Sequence, residues 1–201
     1  VAAMGGRPEF ALVTVASDPG RKLSELEGWY EGMESVAAEC GIVIVGGETS
    51  RLADHGAVIS VSLTGRVERD LCVTRAGARI GDFILVTGRL GGSFESGRHL
   101  DFRPRLAEGQ WLARHARPTA MMDLSDGLAT DLPRLLTDSR VGAIVEADRI
   151  PIRKSAHDVI DNRTPLERAL SDGEDFELLL TVPADEEELL RSIELPDCPV
   201  T

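Results

Sequence analysis

The spacing of apolar and polar positions in the first third of the chain predicts a strand, a helix and then two further strands. Residues 23–40 place apolar side chains at helical spacing, and Gly41 follows at the expected helix end. Three other segments have strand patterns: 10–15 is rich in β-forming residues, 42–45 is a continuous apolar run typical of a buried strand, and 57–67 alternates as a strand does. Between the last two, residues 46–51 are predicted to be a polar loop led by two glycines.

The remainder of the chain alternates between the two kinds of pattern, which predicts a mixed α/β domain. Residues 151–170 are predicted to be mostly helical or irregular, with an interruption at Pro165. The predicted strands are 83–87, 142–146 and 176–182, and the predicted helices are 104–115, the segment that begins at Leu128, and 184–193.

The segment Asp123-Leu124-Ser125-Asp126-Gly127 stands between a predicted strand and a predicted helix. We expect Ser125 or Asp126 to cap the helix, so that the free N–H groups of its first turn face the space in front of it. Carboxylates beside such a turn could bind Mg²⁺ while the N–H groups face phosphate oxygens. A plainer alternative is that Asp123 ends the strand and Asp126 only caps the helix.

Composition narrows the classes of function. The 201 residues carry a net charge of −12 without a Lys/Arg cluster, which argues against a nucleic-acid partner. No apolar run approaches the roughly 20 residues that span a bilayer. The three cysteines are widely spaced and form no C-x-x-C pair, so neither zinc nor a disulfide framework is indicated, and a reducing cytoplasm is expected.

Three predicted turns combine glycine with acidic residues: 46–49, 123–127 and 172–175. Each alone is ordinary turn composition. Together, at the ends of strands, they suit Mg²⁺-bound polyphosphate, because hard oxygen ligands lie beside glycines that let the backbone approach a ligand. The chain has no P-loop, no G-x-G-x-x-G after a strand, no H-E-x-x-H and no G-x-S-x-G, so those chemistries are not indicated.

Five parts of the chain carry motifs that occur in a fixed order: 2–8, 46–51, 75–78 with 81–82, 123–128 and 173–179. The most specific are the pair D-x-S-D-G-L and G-E-D-F-E-L. Together these motifs resemble those of the thiamine-monophosphate kinase family, which belongs to a superfamily with aminoimidazole ribonucleotide synthetase and selenophosphate synthetase. The resemblance covers essentially the whole chain.

The resemblance implies a two-domain α/β fold of the aminoimidazole ribonucleotide synthetase type, whose N-terminal domains pair in a homodimer to form an intersubunit β-barrel. It implies transfer of the ATP γ-phosphoryl group to thiamine monophosphate, with several Mg²⁺ ions. By position, the metal ligands would be Glu48, Asp123 and Asp126; the nucleotide would contact Tyr30, Gly47, Glu48, Arg75 and Ser125; and Glu174 would face the thiamine substrate.

Two departures from the family pattern matter. The family usually has Asp where this chain has Glu48, and the longer side chain moves a carboxylate in a site where Mg²⁺ demands near-ideal geometry. Further metal-binding aspartates of the family lie in an N-terminal segment that would precede Val1. We therefore expect residues 1–74 to be a dimerisation and ATP-binding domain that lacks its first segment, and 75–201 a C-terminal α/β domain incomplete at its end.

Two alternatives remain at the level of sequence. One is another ATP-using enzyme of the same superfamily, with a selenium or different oxygen acceptor, although the segment 173–176 argues against it. The other is a non-catalytic module that binds nucleotide or forms dimers.

Overall fold

The structure is a computed structural model, and it describes residues 1–159 and 161–186. It divides into two compact units. The first comprises Val1 and residues 7–67, and the second comprises residues 2–6 and the chain from residue 68 onward. The predicted domain boundary lies at residue 75, whereas the units divide between residues 67 and 68.

The first unit is a three-stranded sheet with one long helix. Strand β1 (Arg7–Ser17) is central, parallel to β2 (Val43–Arg51) and antiparallel to β3 (Ala57–Arg66). Helix α1 (Leu23–Cys40) connects the two parallel strands, as a parallel pair requires. The helix ends at Gly41, which adopts the left-handed conformation with φ of 69° and donates its N–H to the carbonyl oxygen of Ala38.

Two predictions for the first unit are wrong. Residues 46–51 are not a loop but the larger part of β2, because Gly47 to Arg51 pair in register with β1 from Val13 to Ser17. The predicted strand at 42–45 exists, yet it is not buried: Val43 and Val45 are each 56% exposed. Apolar composition marked this segment as a strand without showing whether anything covers it.

The second unit contains an antiparallel sheet in the order β4 (Phe83–Val86), β6 (Glu177–Val182), β5 (Ala120–Leu124). Every residue of β6 is buried, in keeping with its central place. The helices of this unit are α2 (Leu106–His115), α3 (Leu128–Ser139), α4 (Ser155–Asp158) and α5 (Pro165–Ser171).

The sheet of the second unit lies between two helical layers. Leu178, Leu180 and Val182 alternate onto one face and pack with Leu112 of α2. Leu179 points to the opposite face, where α3 and α5 complete a second core. Helix α5 begins with Pro165 behind a Thr164–Glu167 capping box, so the proline that interrupts the predicted pattern opens a helix.

The predicted strand at 142–146 is wrong, since this segment has no strand pairing with the described residues and Ile144 is 94% exposed. The predicted helix at 184–193 begins as a short 3-10 turn, Ala184–Glu186, and its remainder lies outside the described residues. None of the helices in the described part of the chain combines the length and apolar character needed to cross a membrane.

Candidate functional site

Two of the three acidic turns predicted from the sequence meet in the second unit. The turn after β5 and the turn before β6 are joined by two backbone hydrogen bonds. The N–H of Glu174 donates to the carbonyl oxygen of Ser125 at 2.7 Å, and the N–H of Phe176 donates to that of Leu124 at 2.8 Å. The candidate metal and nucleotide turn and the candidate substrate turn are therefore held together through their backbones.

Glycine is required where these turns touch. A Cβ atom on Gly173 would lie 2.8 Å from the carbonyl oxygen of Ser125, and one on Gly127 would lie 2.9 Å from that of Asp172. Gly127 also has a φ of 91°, which side-chain-bearing residues rarely adopt. These two glycines allow the turns to approach each other at backbone distance.

The start of α3 is organised differently from the prediction. The residue at its N-cap position is Gly127, and neither Ser125 nor Asp126 caps the helix with its side chain. The carboxylate of Asp131, which is fully buried, accepts hydrogen bonds from the N–H groups of Ser125 at 3.0 Å and Asp126 at 2.8 Å. A buried carboxylate thus holds the turn from inside the helix by accepting hydrogen bonds from two of the turn's backbone N–H groups.

Arg134 connects the candidate metal turn to this buried carboxylate. Its guanidinium Nη1 contacts the carboxylate of Asp126 and donates to that of Asp131 at 2.8 Å. The hydrogen bond to Asp126 is the main cause that raises the pKa of Arg134. Sequence reasoning missed both Asp131 and Arg134; the signal available was an acidic residue in the first turn of α3 with a basic one three positions later.

Arg75 lies beside the same helix. Its Nε donates to the Asp138 carboxylate at 2.6 Å, and both side chains are largely exposed. Arg75 and Arg134 line a shallow depression of about 420 Å³ on the outer side of α3. Both guanidinium groups are paired with carboxylates, Arg75 with Asp138 and Arg134 with Asp126 and Asp131, so a phosphate bound here would have to take over one of these pairings.

The candidate residues of the first unit are positioned by β2. Gly47 pairs with Val13 of β1, and Glu48 is the next residue along β2, with its carboxylate accepting a 3.0 Å hydrogen bond from Ser50. The hydroxyl groups of Tyr30 and Thr49 lie 3.5 Å apart, so Tyr30 of α1 reaches the same stretch of strand. The structure thus places Tyr30 against Thr49, the residue that follows the Gly47–Glu48 pair on β2, and shows no direct contact of Tyr30 with Glu48 among the described residues.

Asp123 and Asp126 are both accessible, Asp123 near the end of β5 and Asp126 in the turn that follows. Within residues 1–159 and 161–186, no three acidic, histidine or cysteine side chains come together as a metal-binding group. Mg²⁺ is commonly held by one or two carboxylates together with water and substrate phosphates, so an accessible carboxylate pair fits that ion. For Asp126 to serve, its contact with Arg134 must be exchanged for the metal.

The comparisons with known proteins agree with this architecture. Residues 1–67 match the family described as AIR synthase related protein, N-terminal domain, and residues 37–201 match its C-terminal domain. The chain belongs to the AIR synthase related family. The family resemblance inferred from the motifs is therefore confirmed, as is the AIR synthase-like fold with mixed α/β content.

Relatives of this AIR synthase related chain include thiamine-monophosphate kinases. That of Rhodopirellula baltica is 41% identical over 96% of this chain and 60% of its own length. That of Methanospirillum hungatei is 35% identical over 98% of this chain and 67% of its own length. A solved structure described as AaThiL complexed with AMPPCP and TMP aligns with a TM-score of 0.85 and 28% identity, covering 100% of this chain and 68% of that one. The chain thus spans about 60% to 67% of the length of these curated relatives.

Proposed function

We propose that this chain takes part in the ATP- and Mg²⁺-dependent phosphorylation of thiamine monophosphate to thiamine diphosphate. The observation that carries the proposal is the pair of hydrogen bonds joining the Asp123–Asp126 turn to the Glu174 turn. A phosphoryl transfer between two phosphates needs donor and acceptor at one place, and this pairing sets the donor turn beside the acceptor turn. The related AaThiL structure, which contains AMPPCP and TMP, supports the same reaction.

The residue roles follow the motifs. Asp123, Asp126 and Glu48 are the proposed metal ligands. Tyr30, Gly47, Glu48, Arg75 and Ser125 are proposed to contact the nucleotide, and Glu174 the thiamine substrate. The accessibility of Asp123 and Asp126, the depression beside Arg75, and the contact of Tyr30 with Thr49, the residue after Glu48, support these assignments.

In the proposed reaction, an oxygen of the acceptor phosphate forms a bond to the γ-phosphorus of ATP. The bond from that phosphorus to the bridging β–γ oxygen breaks, and ADP leaves with the electron pair. The acceptor oxygen is already ionised, so no side chain is needed as a general base. Mg²⁺, when bound, supplies charge neutralisation between the two phosphates. Arg75 adds positive charge at the nucleotide, and the two joined turns orient the reactants.

The assembly proposed for the chain is a homodimer in which the sheets of the N-terminal domains, residues 1–74, pair into a β-barrel. Residues 75–201 would form the mixed α/β domain. The support is the exposure of the first sheet: every residue of β3 is exposed, among them Val58 and Val61 at 56% and 54%. Apolar side chains in such numbers on an open sheet suit an interface between subunits. We also propose a cytoplasmic location, which the three widely spaced cysteines without a C-x-x-C pair support.

The test is the formation of ADP and thiamine diphosphate from ATP and thiamine monophosphate, with and without Mg²⁺, on the full-length protein. Mg²⁺-dependent formation of both products is expected. ATP binding without turnover would overturn the proposal in favour of a sister enzyme with another acceptor, which a screen of selenide and aminoimidazole-type acceptors would identify. Failure to bind ATP would favour a non-catalytic module.

A further inference from the structure

The turn that carries Glu174 has an unusual backbone. Glu174 and Phe176 adopt positive φ values of 63° and 49°, on either side of the buried Asp175. For a bulky residue such as phenylalanine this conformation is a genuine outlier, and such strain persists only where the surroundings hold it in place.

The surroundings of Asp175 do hold it. Its carboxylate accepts hydrogen bonds from the N–H of Gly91 at 2.9 Å and the hydroxyl of Ser93 at 2.6 Å, and it pairs with Arg153 at 3.3 Å. Its carbonyl oxygen accepts from Arg98 at 3.4 Å. Burial raises the pKa of Asp175, while these hydrogen bonds and Arg153 act in the opposite direction. With the bonds from Glu174 and Phe176 to the neighbouring turn, the strained segment is fixed from several sides.

A second buried carboxylate fixes the segment that carries Phe102. Glu177, only 1% exposed, accepts from Arg98 at 2.5 Å and from Arg105 at 2.7 Å. These arginines lie on either side of Phe102 in the sequence. The ring of Phe102 stacks on that of Phe176, with centroids 4.1 Å apart and planes inclined by 27°. The buried ion pairs therefore hold one aromatic ring against another.

The outcome is a supported aromatic surface two residues from a carboxylate in the same turn. Asp175 is directed inward, whereas Glu174 and Phe176 both remain partly exposed. The backbone of Phe176 is one hydrogen bond from Leu124, the residue before the proposed nucleotide contact Ser125. Aromatic faces and carboxylates share one kind of ligand, a cation, and a flat cationic ring can use both at once.

We propose that Phe176, supported from behind by Phe102, is the surface on which the cationic heteroaromatic ring of the phosphate acceptor lies, with Glu174 as its counter-charge. This inference rests on the proposed function, in which the acceptor carries a thiazolium ring. It gives the strained turn and the buried arginines a role: they set the direction of an aromatic face toward the acceptor.

The test uses the full-length protein and two acceptor-site ligands: thiamine monophosphate, and an analogue in which a neutral thiophene replaces the thiazolium ring. Dissociation constants are measured by calorimetry in the presence of a non-hydrolysable ATP analogue. In Phe176→Leu, affinity for thiamine monophosphate is expected to fall about three- to thirtyfold, and affinity for the neutral analogue by a smaller factor. In the same variant, the KM for ATP, measured separately by ADP release, should stay unchanged.

Three further variants control this comparison. Phe176→Tyr keeps the ring and should retain most of the preference for the cation. Phe94→Leu removes a ring that is 61% exposed and stacks on His99, outside the Phe176 pair, and should have no effect. Phe102→Leu leaves the strained position of Phe176 intact. If Phe176→Leu does not fold, the same comparison of the two ligand affinities is made with Phe102→Leu.

Equal losses of affinity for the two ligands, or no loss, would overturn the inference while leaving the proposed function intact. Absence of phosphoryl transfer to thiamine monophosphate by the unsubstituted protein would overturn the proposed function, and the inference with it. The two failures are therefore distinguishable in one set of measurements.

Discussion

Arg134 contacts the carboxylate of Asp126, so a side chain assigned to metal binding is already engaged by a positive charge. Both side chains are about half exposed, 47% and 52%, which makes this an exchangeable surface pair. If Asp126 binds Mg²⁺ as proposed, Mg²⁺ and Arg134 would compete for the same carboxylate, and the metal would have to displace the arginine.

Arg134→Gln should therefore lower the Mg²⁺ concentration that gives half-maximal activity. Surface ion pairs contribute about 0.2–1 kcal/mol, which corresponds to a decrease of roughly 1.5- to fivefold. The measurement is a Mg²⁺ titration of ADP release, with Arg114→Gln, another half-exposed arginine in an ion pair, as the matched control. An increase in the required concentration would show that Arg134 assists metal or phosphate binding.

Asp126→Asn should abolish phosphoryl transfer while the fold stays nearly intact, because an amide is a poor Mg²⁺ ligand. Activity and circular dichroism are measured on the same preparation. Asp54→Asn, at an exposed position of the first unit, is the control and should keep full activity. Undiminished transfer in Asp126→Asn would rule out the metal assignment.

Asp131→Ala should destabilise the second unit by about 2–4 kcal/mol, because two N–H groups would lose their buried acceptor and Arg134 one of its partners. Urea unfolding measures the effect. The control on the same helix is Asp138→Ala, which breaks an exposed pair with Arg75 and should cost less than about 1 kcal/mol. Equal effects of the two substitutions would contradict the structural role given to Asp131.

Two glycine substitutions should act in opposite directions. A Cβ on Gly47 would overlap the carbonyl oxygen of Val13, so Gly47→Ala should disrupt the pairing of β1 with β2 and cost roughly 3 kcal/mol or more. Gly28 lies in α1 with nothing within 4 Å of the position a Cβ would take. Gly28→Ala should therefore stabilise the protein by up to about 1 kcal/mol. Thermal unfolding measures both effects, and the Gly47→Ala variant tests the pairing of Gly47 with Val13.

Asp161 should contribute a pH-dependent part of the stability. The backbone N–H of Arg163, followed by the guanidinium groups of Arg168 and Arg163, lowers the pKa of Asp161 from 3.8 to about 2. Since the folded state favours the ionised form, the contribution is complete above about pH 4 and is lost as the pH falls toward 2. The difference in unfolding free energy between the parent and Asp161→Asn should shrink over that range. A difference independent of pH would contradict the assignment.

The sequence predicted the elements with strong local signals. Helix α1 has the predicted bounds, because its apolar spacing ends at a glycine suited to the left-handed conformation. The strand, turn and helix around Asp123 were also predicted correctly. Residues 142–146 have the composition of a strand, yet a strand also needs a pairing partner, and composition does not supply one.

The candidate site was only partly predictable for a related reason. Acidic turns can be recognised locally, whereas the hydrogen bond from Glu174 to Ser125 joins residues far apart in the sequence. Asp131 resembles any acidic residue in the first turn of a helix, and its contact with the preceding turn depends on its burial. Roles that depend on such tertiary contacts cannot be inferred from spacing alone.

Gly127 and Gly173 each lie close to the backbone of the opposite turn, and this also limits how such a chain can evolve. At each of these glycines, an added Cβ atom would lie closer to the opposite backbone than van der Waals contact allows. Recombination between related genes at a point between these glycines would join turns that were fitted to different partners. We expect functional chimaeras from such crossovers only where both parents share this fit, so the two motifs should be inherited as one unit.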